Sequence, residues 1–272
     1  LFESALKVAP DDRQIPYQLA MLDQAEGKAT TVESAPQEYV TSLFDYYASN
    51  DYDKHIISLD YAGPELLWEA FEQARQPNYA DEASIDGAKS VELGCGSGLV
   101  GKYFRTRGFG YSFEGCDLSS VMTKQATDAI FEKPDSPGGH IDMVYSRVEC
   151  ADAETFLREK KEEDADLVLA GDVLCYIGKL DSLFSAVSTA LHPKRGLFLF
   201  TAESLTPAEL STEGTSMRGY ALRSSGRFAH SRHYVEQLAE KYGFVLEACE
   251  TAVLRRDGPD EVTGLVVTLR KK

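Results

Sequence analysis

Glycines stand at three alternate positions, Gly94, Gly96 and Gly98, just after an apolar run that ends in an acid, Glu92, within VELGCGSGLVG at residues 91–101. Glycine has no Cβ, so backbone at such positions can turn tightly and lie close against a ligand. The helix that starts behind the loop offers unpaired N–H groups. These features suit a nucleotide-like cofactor. Gly96, Gly98 and Gly101 also satisfy the dinucleotide spacing G-x-G-x-x-G, so the loop by itself leaves the cofactor ambiguous.

In an open α/β sheet the ligand lies over the carboxyl ends of the strands, near the point where strand order reverses. The residues expected at those ends are Glu92, Asp117, Asp152, Gly171 and Asp172. Asp117 can accept hydrogen bonds from two ribose hydroxyls, and an acid there discourages a 2′-phosphate. Asp152 can accept from an exocyclic adenine amine. Glu92 discriminates between cofactors. A pyrophosphate wants helix N–H groups and no carboxylate nearby. The amino group of a zwitterionic amino-acid tail carrying a sulfonium gains from one. The sequence also lacks a Tyr-x-x-x-Lys pair of the short-chain dehydrogenase kind. S-adenosylmethionine fits this pattern better than NAD.

Methyl transfer from a sulfonium is an in-line displacement with a neutral leaving group. Catalysis then consists mostly of positioning the acceptor ~3 Å from the methyl carbon and excluding water. A general base helps only an acceptor that arrives protonated. The candidate catalytic residues are His230, Glu203 and Asp172, with Tyr176 and His55 behind them. His230 precedes a helix near the expected substrate face, where an imidazole suits base chemistry; a capping or structural role is equally open. Glu203, placed after strand five, either orients an acceptor or satisfies loop N–H groups. Arg227 pairs either with an acceptor carboxylate or with one of the many acids of the chain. His140, His192 and His233 have the setting of surface or turn residues.

The elements that carry these residues are legible in the hydrophobic patterning. Strands are predicted at 89–93, 111–116, 143–150, 166–170 and 196–201. Helices are predicted at about 99–107, from Ser119 or Ser120 as N-cap, and at 154–161, 179–191 and 231–242. Residues 132–140 read as a loop. Alternating strands and helices imply right-handed crossovers and a parallel sheet covered on both faces. Two β-rich runs, 244–255 and 263–269, flank a Gly258-Pro259 turn and predict a closing antiparallel hairpin.

Ahead of this core, helices are predicted at 36–48 and 64–75, the second with Pro64 in its first turn. Tyr39, Phe44, Tyr46, Tyr47, Tyr52, His55 and Tyr61 crowd the first part of that region, as core or lid packing or as direct ligand contacts. Residues 1–26 read as two helices broken at Ala9-Pro10-Asp11-Asp12, which suits either the end of a tetratricopeptide array or an ordinary helical hairpin. Residues 26–36 have linker composition.

Composition narrows the partners. The 272 residues carry 44 acids against 28 bases, a net charge of −16, which repels a phosphate backbone, so no nucleic acid partner is expected. The basic groupings at 102–107, Arg255–Arg256 and the C-terminal tail read as solvated faces or ends. No run approaches the ~18 apolar residues of a membrane span. The chain starts at Leu1 with no basic-then-apolar leader, so it is expected to begin inside a longer protein. Cys95, Cys116, Cys150, Cys175 and Cys249 form no C-x-x-C pair. That odd set suits a reducing, cytoplasmic compartment without structural zinc.

VELGCGSGLVGKYF, FEGCDLSSVM, VECADAETFL, DLVLAGDVLCYIGKL and ALHPKRGLFLFTAES resemble, in that order, the successive motifs of class I S-adenosylmethionine-dependent methyltransferases. YVTSLFDYYASNDYDKHIISLDYAGPELL and GRFAHSRHYVEQLAEKYGF are similar to a subfamily of predicted methyltransferases preceded by tetratricopeptide repeats. The resemblance covers about residues 37–270. It implies a Rossmann-like α/β fold, with a seven-stranded, mostly parallel sheet, a C-terminal antiparallel hairpin and N-terminal helices. Residues 1–36 would then be the end of a repeat array and a linker, and residues 37–272 a methyltransferase domain with a helical lid.

The same resemblance implies that Glu92, Gly94, Cys95, Gly96 and Gly98 hold the methionine part of the cofactor, Cys95 and Ser97 filling variable slots. Asp117 would bind the ribose, Leu118 would flank the adenine, and Asp152 and Ala153 would contact it. Gly171 and Asp172 would line the methyl-transfer face, under a lid that carries Tyr47, Tyr52 and His55. Gly171-Asp172-Val173-Leu174 departs from the Asn/Asp-Pro-Pro-aromatic motif of amino-directed nucleic acid methyltransferases, a second argument against DNA or RNA. The implied activity is methyl transfer to an O, N or S atom of a small molecule. A protein acceptor presented by upstream repeats, or a scaffold that has lost turnover, are the alternatives.

Overall fold

A computed structural model describes residues 12–26, 28, 31–50, 52–75, 89–109, 112–133, 139–160, 162 and 164–272. In chain order the strands are β1 (Lys89–Leu93), β2 (Ser112–Asp117), β3 (Ile130–Glu132), β4 (Ile141–Met143), β5 (Arg147–Cys150), β6 (Leu167–Ala170), β7 (Leu197–Ser204), β8 (Tyr220–Leu222), β9 (Phe228–His230), β10 (Phe244–Asp257) and β11 (Asp260–Lys271). The helices are α1 (Gln14–Ala25), α2 (Gln37–Ser49), α3 (Tyr52–Ser58), α4 (Gly63–Arg75), α5 (Leu99–Thr106), α6 (Ser120–Thr127), α7 (Ala153–Arg158), α8 (Asp181–Ala190), α9 (Pro207–Leu210), α10 (Glu213–Arg218) and α11 (Arg232–Lys241).

The main sheet runs β10-β11-β7-β6-β1-β2-β5. Its four pairings from β7 to β5 are parallel, and β11 joins β7 and β10 antiparallel. This is the mostly parallel sheet with a C-terminal hairpin that the resemblance implies, but β8 and β9, joined through β7, bring it to nine strands where seven were expected. Strand order reverses between β1 and β6, so the glycine loop after β1 opens at the switch point.

Both faces of the sheet are covered, and the strands show why. Along β6, Val168 and Ala170 enter one apolar cluster while Leu167 and Leu169 enter the other. Phe198 and Phe200 of β7 do the same against Leu197 and Leu199. Successive side chains point to opposite faces, so a near-continuous apolar run suits a strand buried on both. Phe184 of α8 packs edge-on against Phe198 and Phe200 on one side. Trp68 and Phe71 of α4 meet Phe104 of α5 on the other.

The chain departs from the predicted elements at three places. Residues 143–150 do not form one strand: β4 ends at Met143 and β5 starts at Arg147. The backbone changes partner between them, the Val144 N–H donating to the Ala129 carbonyl and the Ser146 N–H to the Phe113 carbonyl, so one continuous ladder cannot run through 143–150. Part of the predicted 132–140 loop belongs instead to the small β3–β4 pair. Between β7 and α11 an insertion of α9, α10 and the β8–β9 ribbon, docked on β7, carries no strong period in the sequence. Tyr111, the first residue of the second predicted strand, lies outside the described residues, as does the first predicted helix before α1.

The N-terminal segments are fastened to the core. Residues of the expected linker run along the turn after β6, where the Ala35 N–H donates to the Tyr176 carbonyl at 2.9 Å and the Glu33 carbonyl accepts from Gly178 and Lys179. Tyr17 of α1 donates to the Gly226 carbonyl at 2.7 Å. Asp45 of α2 accepts from the Ser119 hydroxyl at the end of β2. These contacts lay α2 and α3 across the carboxyl edge of the sheet. No described helix is long and apolar enough to cross a membrane.

Candidate functional site

The loop after β1 is built from left-handed glycines. Gly94 and Gly96 have φ of 62° and 54°, and Gly98, at 96°, is the N-cap of α5. The loop is pinned to β2: the Cys95 N–H donates to the Cys116 carbonyl at 2.9 Å and the Gly96 N–H to Asp117 Oδ2 at 3.0 Å. A Cβ on Gly94 would sit 2.4 Å from the Val173 side chain of the loop after β6. Overpacking of that kind costs about 1–3 kcal/mol and a left-handed β-branched residue about 1–2 kcal/mol more. Gly94→Val is therefore expected to lower the urea midpoint and abolish cofactor binding; a variant with wild-type melting and wild-type affinity would refute the close packing.

Glu92 lies beneath the loop, 2% exposed, and does not line the cleft. Its Oε2 accepts from the Tyr145 hydroxyl at 2.7 Å, and the Gly101 N–H also reaches the carboxylate. Burial pushes its pKa up to about 8 against the pull of those donors. The sign follows from the folded value lying above the unfolded one. The native chain holds the proton longer, so this group's stabilising contribution is full at acid pH and is lost as pH rises from about 4.5 to about 8. Glu92→Gln should flatten that part of the pH–stability curve; equal slopes in urea titrations at pH 5 and pH 8.5 would refute it.

A cleft opens over the strand ends. Of the residues assigned to the cofactor from sequence, Tyr52, Gly94, Gly96, Asp117, Leu118, Asp152, Ala153, Gly171 and Asp172 line it. Asp117 accepts the Gly96 N–H on Oδ2 and the Ser119 N–H on Oδ1, at 2.9 Å for the latter. Burial raises its pKa, opposed by those backbone donors. Asp152 caps α7, its Oδ1 accepting from Glu154 and Thr155 at 3.1 and 3.0 Å. Tyr47 and His55 do not line the cleft; their rings stack on each other at 4.4 Å and brace α2 against α3. Gly98 and Cys95 do not line the cleft either.

The three catalytic candidates part company. Asp172 alone lines the cleft, with a left-handed backbone (φ 56°). Its carboxylate is held by Arg255 Nη1 at 2.7 Å and by Arg227 Nη1 at 3.4 Å. Glu203 lies within β7 rather than after it, 2% exposed, ion-paired to Arg255 and to Arg223. His230 is sealed in the core at 0% exposure. Its Nε2 lies 2.9 and 3.1 Å from the carbonyls of Ile177 and Gly178, which assigns the proton to that nitrogen and leaves Nδ1 buried without a partner among the described residues. Desolvation takes its pKa down to about 4, so the ring is neutral near pH 7. It fastens the turn that carries Tyr176 and Ile177.

Sequence reasoning missed Tyr61, Tyr145 and Arg255. Tyr61 lines the cleft, and a Cβ on Gly171 would meet its hydroxyl at 2.9 Å. Arg255 was expected on a solvated face, yet it is 4% exposed. A register shift in the β10–β11 pairing between Val253 and Arg255 turns Leu254 and Arg255 inward together. Such a bulge breaks the alternation that a sequence pattern relies on.

Comparisons with known proteins bear on this site. A family profile described as a methyltransferase domain matches residues 69–248, more than half of the chain. The chain is 23% identical over 154 residues to a histidine protein methyltransferase 1 homolog of Dictyostelium discoideum, covering 55% of this chain and 48% of that protein. It thus spans about half the length of that curated relative. Magnesium protoporphyrin IX methyltransferase from Synechocystis PCC 6803, solved with bound SAH, superposes with a TM-score of 0.57 at 13% identity, over 87% of this chain and 99% of that one. The 1,6-didemethyltoxoflavin-N1-methyltransferase of Burkholderia thailandensis, solved with 1,6-didemethyltoxoflavin and S-adenosylhomocysteine, gives 0.58 at 15% identity, over 90% and 93%. At these identities the structural likeness is one of fold.

Proposed function

The chain belongs to the methyltransferase-domain family, and from that premise we propose that it moves a methyl group from S-adenosylmethionine to an O, N or S atom of a small molecule. The carrying observation is the pairing of bare glycine backbone with an acid on one cleft wall, Gly94 and Gly96 beside Asp117. The residues present fit the cofactor. Each Asp117 oxygen accepts one backbone N–H and keeps a lone pair, and Asp152 Oδ2 has no partner among the described residues.

When bound, S-adenosylmethionine supplies an electrophilic methyl group on a sulfonium. Asp117 would accept from the ribose hydroxyls. Leu118 and Ala153 would flank the adenine, and Asp152 Oδ2 would accept its amine. The Gly94 and Gly96 backbone would hold the methionine part, with Glu92 stiffening the loop from below. Val40, Phe44, Ile56, Val173 and Ile177 close the cleft in apolar side chains, which excludes water. A chamber roofed by α2 and α3 suits a small acceptor better than a polypeptide. Asp172 is committed to two arginines and His230 is sealed, so the acceptor would arrive with its lone pair already available.

A histidine side chain of a protein is the second reading, favoured by the Dictyostelium relative. In it α1 would end a repeat array that presents the target. Calorimetry with S-adenosylmethionine and with NAD tests the cofactor; NAD binding without S-adenosylmethionine binding would sink the proposal. For the acceptor, isotopic methyl transfer in a lysate is expected to label the metabolite fraction. Label in protein alone would overturn the small-molecule reading in favour of the second.

A further inference from the structure

We propose that a carboxylate-binding subsite adjoins the cleft behind its Tyr176 wall, formed by the Tyr176 hydroxyl and the Arg227 guanidinium, so that the acceptor carries a carboxylate on an apolar body. The proposal rests on the small-molecule methyltransferase reading and narrows its substrate class.

Tyr176 lies in the one-turn helix Leu174–Tyr176 after β6 and forms part of the cleft wall, 6% exposed. Its ring meets Phe44 edge-on at 5.6 Å, and its hydroxyl is buried with no hydrogen-bond partner among the described residues. A buried tyrosine hydroxyl ordinarily finds a partner. Leaving one unmade carries the desolvation cost of the donor, and phenylalanine would fill the same space without that cost. A donor kept unpaired on a cleft wall is explained by an acceptor atom that the ligand brings.

Arg227 supplies the charge. Three guanidiniums, Arg223, Arg227 and Arg255, surround the two carboxylates Asp172 and Glu203. Arg255 takes both carboxylates at short range, and Arg223 is further held by Glu209. Arg227 is held loosely, through Nη1 alone, at 3.4 Å from Asp172 and 3.7 Å from Glu203. Its Nε and Nη2 have no partner among the described residues. A guanidinium is a planar fork matched to a carboxylate, and this one has most of its fork to spare. Its Cζ lies 5.7 Å from the Tyr176 ring centroid. The N-terminal helices set its position: the Gly226 carbonyl is tied to Tyr17, and Gly226 packs against the Tyr39 hydroxyl closely enough that a Cβ would come within 2.8 Å.

The test uses benzoate and its neutral analogue benzamide, titrated by calorimetry into the protein saturated with S-adenosylhomocysteine. Benzoate is expected to bind about tenfold tighter than benzamide, the effect of one charge-assisted pair. Arg227→Met and Tyr176→Phe should each reduce that preference to within about twofold, and Arg227→Lys should keep part of it. Tyr176→Phe removes only an unpartnered hydroxyl, so it reports on the subsite even where Arg227→Met unfolds. Equal binding of the two probes, no binding of either, or a preference that survives Tyr176→Phe would overturn the subsite. Failure to bind S-adenosylhomocysteine would instead overturn the methyltransferase reading, and the benzoate preference of the free protein would still decide the subsite.

Discussion

Asp117→Ala is expected to weaken S-adenosylhomocysteine binding by about 100-fold or more, because it removes two hydrogen bonds to a charged acceptor at about 1.5–3 kcal/mol each. The carboxylate has two duties. It would accept from the ribose, and it already accepts the Gly96 N–H and so fixes the loop that would receive the methionine part. Asp117→Asn separates them. The amide keeps one acceptor oxygen for the loop or the ribose but not both, so its affinity should fall between wild type and alanine. Calorimetry on the three proteins, with melting curves as a control for folding, decides the matter. An alanine variant that binds like wild type would show that Asp117 does not touch the cofactor.

Arg255→Met is expected to cost about 3–5 kcal/mol of stability, the usual cost of removing one partner from a buried ion pair. Glu203 and Arg255 have side chains only 3% and 5% exposed, and Asp172 depends on the same guanidinium. Without it Asp172 keeps only Arg227 at 3.4 Å and Glu203 keeps only Arg223 at short range, with Arg227 too distant to replace both lost contacts. Pairing the change with Glu203→Gln removes one of the two carboxylates left under-paired, so the double variant should recover part of the loss. Urea unfolding of wild type, single and double variants measures this. A single variant within about 1 kcal/mol of wild type would mean that water reaches the cluster and screens it as it would a surface pair.

Both residues bear on what could be read from the chain alone. Asp117 was legible because a strand end is a local event: an apolar run stops, an acid follows, and Ser119 caps the next helix. Topology then brings all such ends to one edge, so Gly94, Gly96, Asp117, Asp152 and Asp172 meet in one cleft although they are far apart in sequence. Arg255 was not legible, because a bulge is set by the partner strand β11 and leaves no mark on the composition of β10. Glu203 was misplaced because apolar runs do not announce that a strand continues through Thr201, Ala202 and an ion-paired acid. Compensated charge reads in sequence as a loop.

The sequence by itself determined the α/β alternation, the closing hairpin and the glycine loop with the acid that ends the next strand. Each depends on short-range periodicity, turn chemistry and the right-handedness of crossovers, all of which survive without knowledge of neighbours. Only the tertiary structure decided what the candidate side chains face. It buried Glu92 against Tyr145, sealed His230 against two carbonyls, tied Asp172 to two arginines, and left Tyr176 beside the open fork of Arg227. Burial and pairing are properties of the packed chain: the same His, Asp or Arg has one chemistry in water and another once desolvation and a partner at 3 Å have set its charge.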